Sequence, residues 1–454
     1  GLITSGPLDG MQFGPGGVLE PFDPGTEVGP NFSSGGDGAY VVNGISPTEN
    51  RQSYFVHAEY ELNHRLTLIT EGMYDSSGTA SIGAPPFEVG SRFQFTIFNN
   101  NAYLPFAVQQ MFAQSPAVTS FTMGRYSADL TPIINNDLTR MGRAMVGLKG
   151  DLVGRWSFDT HLIFSRAEQD LAQTDTINRN LYAAADAVVD SATEQVVCRS
   201  TLEGLDPGCV PVNLFGPDSI TPQAAAYIEG WQYGDLSINQ TAFNANFRGD
   251  LGDTVRLPAG RISAALGAAY QQNQAIRSAD PLSYSYTSCA GLRGCPAGLN
   301  GVYGGFQSYN PSPLSGRISA LEGYGELGIP LLKNLPLIKS LGLDLAGRRT
   351  DYDVVGIGYS EYSWKLGGNW QINRDLQLHA TRSQDFRAPD VGELFTPGTS
   401  ATSNMVFPSP TAPAPFAVTG ESITEANLDL RPERGLTTTV GARFTPSALP
   451  GLLG

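Results

Sequence analysis

Residues 341–397 contain three long segments whose side chains alternate with a period of two: Leu341, Leu343 and Leu345 fall on one side, Gly342, Asp344 and Ala346 on the other. A helix repeats every 3.6 residues, so this pattern specifies strands. The segments are about 11–13 residues long, roughly twice the usual soluble strand. About ten tilted residues cross the hydrocarbon core of a bilayer. The fold class to expect is therefore all-β, with long antiparallel strands of membrane-spanning length.

Composition agrees. The 454 residues include 53 Gly, 10% aromatics and only 16% charged residues, which suits an all-β chain rich in turns. Lys and Arg number 28 against 43 Asp and Glu, a net charge of −15. That lacks the basic footprint of a nucleic-acid binder, so no nucleic-acid partner is expected. No stretch approaches 18 consecutive apolar residues, which argues against a spanning helix. A transmembrane barrel, which alternates, remains open. No targeting signal is visible at the start of the chain.

Strands are expected near 53–62, 66–75, 91–99, 118–129, 139–152, 156–167, 241–251, 260–272, 316–329, 341–353, 359–371, 376–386 and 432–445. The clearest hairpin joins 142–152 to 156–167 through Val153, Gly154 and Arg155. Ala144, Val146, Leu148, Trp156, Phe158, Leu162 and Phe164 share its apolar face, and Arg143, Lys149, Asp159 and His161 the polar one. On 241–251, Asn244, Asn246, Arg248 and Asp250 are polar and expected to face a lumen. Alternate connections are brief, while 168–240, 273–315 and 387–431 are long and rich in Gly, Pro, Ser and Thr. Short turns on one rim and long loops on the other mark outer-membrane barrels. Two misfits stand out: a short amphipathic helix between 91–99 and 118–129 on the short-turn rim, and a tight turn at 354–358 on the long-loop rim. Trp156, Tyr270, Tyr324, Tyr352, Tyr362, Trp364 and Trp370 are candidates for the interfacial girdle.

Cys198/Cys209 and Cys289/Cys295 form two local pairs in Gly/Pro-rich segments, the spacing of two disulfide-closed loops in an oxidising compartment. Zinc is the rival, but neither segment carries a nearby His. The four histidines, His57, His64, His161 and His379, are scattered, and no metal site or cofactor is implied. Gly323, Gly325 and Gly328 match a dinucleotide-loop spacing but lie inside an alternating strand, where they read as strand glycines on a lumen face. Without a nucleophile motif or a distinguished carboxylate pair, no enzymatic activity is expected.

The run WKLGGNWQINRDLQLHATRSQDFRAPDVGELFTP, followed by EANLDLRPERGLTTTVGARFTP, resembles the barrel of TonB-dependent outer-membrane receptors. A strand ends in Arg382, Asp385, Phe386, Arg387 and Pro389, and an element carrying Asn427, Pro432 and Glu433 opens the next one. The resemblance covers most of residues 50–445. It implies a transmembrane up-and-down β-barrel in the bacterial outer membrane, with short periplasmic turns and long extracellular loops. Its implied work is energised uptake of a scarce extracellular solute into the periplasm. The implied partners are the TonB–ExbB–ExbD complex, reached through a plug, together with outer-membrane lipid and lipopolysaccharide.

About 22 strands are expected of such transporters, against the 13 placed here. Residues 1–454 are accordingly read as an incomplete barrel domain whose plug and last strands lie elsewhere. Tyr284, Tyr286, Tyr303 and Tyr309 in the aromatic-rich 284–309 loop are candidate ligand contacts. The cluster from Arg382 to Pro389 is expected to fix the strand-to-loop transition through Arg–carboxylate hydrogen bonds on the lumen side. A passive porin-like channel and a soluble β-sandwich binding module are the alternatives. The sandwich requires the Trp156/Phe158/Leu162/Phe164 face to be buried in protein.

Overall fold

The computed structural model describes residues 2–29, 32–37, 44–89, 93–252, 255–396, 399–407, 416–424 and 426–447. Eleven strands form one antiparallel sheet in which every neighbour in sequence is a neighbour in space. These are β1 (Thr48–Asn63), β2 (Leu66–Ile82), β3 (Ile134–Asp151), β4 (Ser157–Thr176), β5 (Glu229–Asp250), β6 (Ser263–Ala279), β7 (Leu314–Leu335), β8 (Ile338–Val354), β9 (Ile357–Gln371), β10 (Leu376–Arg387) and β11 (Glu433–Phe444). β1 and β11 are the two edges and do not pair with each other. Among the described residues no helix is long and apolar enough to cross a membrane.

The ladders follow the alternation. In the β3–β4 hairpin, Ala144 pairs with Phe164, Val146 with Leu162 and Lys149 with Asp159, so apolar meets apolar and charge meets charge. The apolar face continues through Phe247 against Phe158 and Leu266, then Leu327 against Leu345, then Leu345 against Leu366. No protein covers it: Phe164 is 50% exposed, Leu266 52% and Leu321 57%. A sandwich would bury that face, so the soluble alternative does not describe this sheet. Trp156 lies on this face over Gly249, whose missing side chain leaves room for the indole.

The opposite face is a ladder of charge. Glu71 accepts from Arg143 at 3.1 Å and Lys149 reaches Glu59 at 2.8 Å. Asn246 donates to Asp159 at 2.7 Å and Arg348 pairs with Glu322 at 3.1 Å. Apolar outside and polar inside is the wall of a water-lined barrel. On the apolar face the residue type changes abruptly upward: Arg166 follows Phe164, Arg349 follows Gly347, and Arg382 follows Ala380 along successive outward positions. That line is the upper limit of the lipid-facing band.

Several expectations need correction. Strands 91–99 and 118–129 are not part of the wall: Phe95–Phe98 pairs with Ser120–Met123 in a separate two-stranded piece, and residues 91–92 lie outside the described ones. Both faces of this piece alternate because one is packed in protein, which imitates a wall strand. Removing these two strands places helix α1 (Phe106–Gln114) in the β2–β3 connection on the long-loop rim, so that misfit disappears. The tight β8–β9 turn persists, with Val355 and Gly356 both at positive φ, 51° and 88°. Wall strands also run further than expected: β4 has 20 residues and β5 has 22. At about 3.3 Å per residue these reach roughly 65–70 Å. Their upper parts, such as 229–240, mix the two kinds on each face, Trp231 and Tyr233 with Glu229 and Asp235 on one and Leu236 and Ile238 with Gln232 and Gln240 on the other, so hydropathy alternation does not mark them.

Three further assignments change. Gly323 and Gly325 pair with Ala268 and Leu266 on the apolar, lipid-side face, not the lumen; Gly328, opposite Ser263 and Asp344, is on the polar one. Tyr324 and Tyr352 also leave the girdle. Tyr324 lies on the polar face under the Arg348 guanidinium and donates to Asn246. Tyr352 stacks on Tyr359 with ring centroids 5.0 Å apart.

Candidate functional site: a cap on the long-loop rim

The connections β2–β3 (83–133), β4–β5 (177–228) and β6–β7 (280–313) all leave from the same rim. Together with the segment before β1 they share one hydrophobic core. Ile3 and Phe13 come from the N-terminal segment; Phe95, Val108 and Phe121 from the first connection; Tyr182, Phe215 and Ile228 from the second; and Leu299 from the third. Ile3, Val108 and Ile228 are completely buried. This core stands beyond the Arg166/Arg349/Arg382 line, clear of the lipid-facing band.

Local sequence explains the pieces. Thr221 caps helix α4 (Pro222–Ile228) by accepting from Ala224 N at 3.2 Å, with Pro at the first helical position. Helix α2 (Asn178–Ala185) is buried along almost its whole length, and Tyr182 donates to the Phe93 carbonyl at 2.6 Å. Helix α3 (Arg199–Leu202) follows Cys198, which is joined to Cys209. The Cys289–Cys295 disulfide closes the other small loop, and Leu205 from the first loop packs on Gly291 of the second. Arg179 donates to the Ser288 and Ala290 carbonyls. Arg293 forks onto Asp186 at 2.7 and 2.8 Å while its guanidinium lies 4.0 Å from the Phe98 ring.

The deepest ion pair joins the first two connections. Buried Arg125 grips Asp129 with two 2.7 Å bonds and also donates to the Leu214 and Gly216 carbonyls and to Ser219. Asp129 accepts in addition from Ser219 N and Ile220 N. Burial alone would raise the Asp129 carboxyl; the Arg125 guanidinium and the Ile220 N–H outweigh it and hold the group below its ordinary value. At the neighbouring seam Asp175, at the tip of β4, accepts from Gln232, from Ser308 N and Oγ and from Tyr309 N.

Of the four candidate tyrosines, the structure brings two together: Tyr286 and Tyr303 meet edge to face at 5.7 Å. Tyr284, Tyr286 and Tyr309 are exposed. Tyr309 contributes its backbone N–H to Asp175.

The cluster after β10 differs from expectation. Arg382 lies on the outward face opposite Leu366 and Thr438 and, among the described residues, has no carboxylate partner. Asp385 accepts only from Ser383, at 3.0 Å. The clamp is made by Arg387, which bridges Glu393 at 2.9 Å and Glu433 at 3.1 Å. Glu393 belongs to helix α5 (Val391–Phe395), whose capping box pairs it with Asp390. The Arg387 guanidinium and the Asp390 N–H hold the Glu393 carboxyl below its usual range. α5 docks on the wall through buried Leu394, beside Ile318 and Val354, with the Phe395 ring over Gly316. Phe386 stands edge-on to Tyr352 at 6.3 Å, Pro389 is buried, and Asn427 donates its N–H to the Glu393 carbonyl. Pro432 precedes Glu433 at the start of β11. The D-x-x-E spacing of Asp390 and Glu393 was the readable sign of α5.

A wall of long strands, greasy outside and charged within, with its long loops gathered on one rim, defines an outer-membrane β-barrel. The sequence model of the TonB dependent receptor-like β-barrel matches residues 87–452, and the chain belongs to this family. No curated protein matches it. Among solved structures it is similar to the siderophore receptor PirA of Acinetobacter baumannii, at 12% identity over 88% of this chain and 41% of that one, TM-score 0.43. It is also similar to a mutant of the ferric enterobactin receptor PfeA of Pseudomonas aeruginosa, at 12% identity over 90% of this chain and 43% of that one, TM-score 0.47. A third is the RagAB peptide importer, at 11% identity over 88% and 39%, TM-score 0.43. The chain thus spans about two-fifths of the length of the structures it matches.

Proposed function

We propose that this chain supplies wall and extracellular cap to a receptor that takes a scarce solute across the outer membrane, driven by TonB through a plug. The observation that carries the reading is the cap: three long connections and the N-terminal segment pack into one core on one rim, above a polar-lined wall. A passive pore needs an open mouth, whereas a receptor needs a shaped one. The exposed Tyr284, Tyr286 and Tyr309, with half-buried Tyr303 beside Tyr286, are the proposed solute contacts, since aromatic faces outside the core are free to stack. TonB–ExbB–ExbD is the proposed energy source, and lipopolysaccharide the proposed neighbour of the outward face above the lipid band. The reading involves no covalent chemistry, and it takes Arg387, Glu393 and Glu433 as structural anchors of the β10–β11 loop.

Mass spectrometry of the growth medium tests this. Cells carrying the full-length gene should deplete at least one solute that deletion cells leave behind, and a proton-gradient uncoupler should stop the depletion. Depletion that continues in uncoupled cells would favour the porin-like alternative.

A further inference from the structure

In the cap, Phe87–Glu88 pairs with Arg125–Tyr126, which sets Glu88 directly beside Arg125. Glu88 is 0% exposed. One carboxyl oxygen meets the Ser127 hydroxyl at 2.8 Å and the other, Oε1, is buried without a hydrogen-bond partner. Among the described residues the one guanidinium beside it, that of Arg125, is committed to Asp129 in a two-bond fork. One positive charge therefore faces two buried carboxyls. Asp129, with the fork and two backbone N–H donors, keeps the negative charge. Among the described residues Glu88 is left without a counterion, and a buried carboxyl in that position is held in its neutral form.

Among the described residues the other elements around it bring no charge to change this. The charged groups acting on Glu88 are Arg125 and Asp129, both of its own connection. The β4–β5 connection presents the Leu214 and Gly216 carbonyls and Ser219 to Arg125. The β6–β7 connection brings the neutral Gln307, whose amide donates to the Phe87 carbonyl at 3.0 Å. The N-terminal segment offers the Leu2 carbonyl to Gly124 N.

We propose that Glu88 is a proton-operated latch: as a neutral acid it keeps the seam between the β2–β3, β4–β5 and β6–β7 connections closed, and its ionisation opens the cap there. Burial, the largest influence, pushes the group up to about 7. With its folded value raised, Glu88 favours the closed seam fully below the ordinary Glu value, and that contribution is lost as pH rises through about 7. Once opened, Glu88 meets water and titrates as an ordinary carboxyl, so the opening constant should grow about tenfold per pH unit between the ordinary Glu value and about 7, and level off above that. From pH 5.5 to 8.5 the increase is roughly thirtyfold, most of it complete by about pH 7.5. The latch is independent of which solute the cap receives.

Hydrogen exchange on the full-length protein in outer-membrane vesicles, from pH 5.5 to 8.5 and corrected for intrinsic exchange, tests it. Peptides spanning 84–89 and 125–133 should show the rise, while β3 and β4 stay level. Glu88→Gln should abolish it. Asp129→Asn, which leaves Arg125 as the counterion of Glu88, should abolish it as well and serves if the first variant does not fold. A level wild-type profile, or a rise of the same size in either folded variant, overturns the latch.

Discussion

In the wall, side chains such as Phe164, Leu266 and Leu321 are half exposed, and long backbone ladders carry the structure. In the cap, Ile3, Val108, Tyr182 and Ile228 are almost fully enclosed, and the backbone around them is irregular. The two regions face different solvents. The wall hides its apolar face from water by presenting it to lipid, where any unpaired backbone group is costly, so regular strands are obligatory. The cap stands in water and must bury its apolar side chains against each other, as any soluble domain does. Damage to one region should therefore leave the other largely intact.

The largest separation is expected at Arg125. Arg125→Met leaves Asp129 and Glu88 buried with no positive charge between them, and should cost the cap about 3–5 kcal/mol. Protease resistance of residues 83–133 should collapse while the resistance of the wall to SDS at room temperature is retained. The reverse case is Leu345→Arg, a charge placed on the lipid face, which should destabilise the wall by about 2–4 kcal/mol in a urea refolding assay with lipid. Ala346→Arg, one residue along on the polar face, should be close to neutral in the same assay. Replacing Cys198 and Cys209 by Ser opens a loop of 11 residues' separation. That change should cost the cap about 2–3 kcal/mol and the wall nothing measurable. The smallest effect should come at the β8–β9 turn, where a β-branched Val355 holds φ at 51°. Val355→Asn suits that backbone and should stabilise the hairpin by up to about 1 kcal/mol, read as a small rise in the wall's unfolding midpoint.

The same contrast explains how much the chain discloses on inspection. Alternation such as Leu341/Leu343/Leu345 against Gly342/Asp344/Ala346 is a direct consequence of lipid on one side and water on the other, so the wall strands and their faces are legible. Where apolar and polar residues mix on each face, as in 229–240, that cue vanishes and the strand reads as loop. The cap is held by single buried residues from distant connections, Ile3 beside Met123 and Tyr182 beside Phe95, and no local period encodes such meetings. Phe95–Phe98 and Ser120–Met123 imitated wall strands because they alternate; their shortness, four residues each, was the distinguishing sign. The clamp on α5 was half legible: the arginine-rich element before the loop marks the place, but nothing in it tells Arg387, which makes the clamp, from outward-facing Arg382. The buried Arg125–Asp129 pair had a readable four-residue spacing and nothing to show that it would be enclosed.

The central claim is that this sheet is a membrane wall with lipid on one face, water on the other and the cap above a sharp upper boundary. Single spin labels placed in turn at positions 341 to 351 of β8 in the full-length protein, reconstituted in bilayers, test it most directly, because the native cysteines are paired in disulfides. Collision with dissolved oxygen should be high at 341, 343, 345 and 347 and low at 342, 344 and 346. A water-soluble nickel chelate should show the inverse pattern and gain access at 349 and 351. Uniform protection from both reagents along the strand, or an alternation that continues unchanged past 347, would contradict the account.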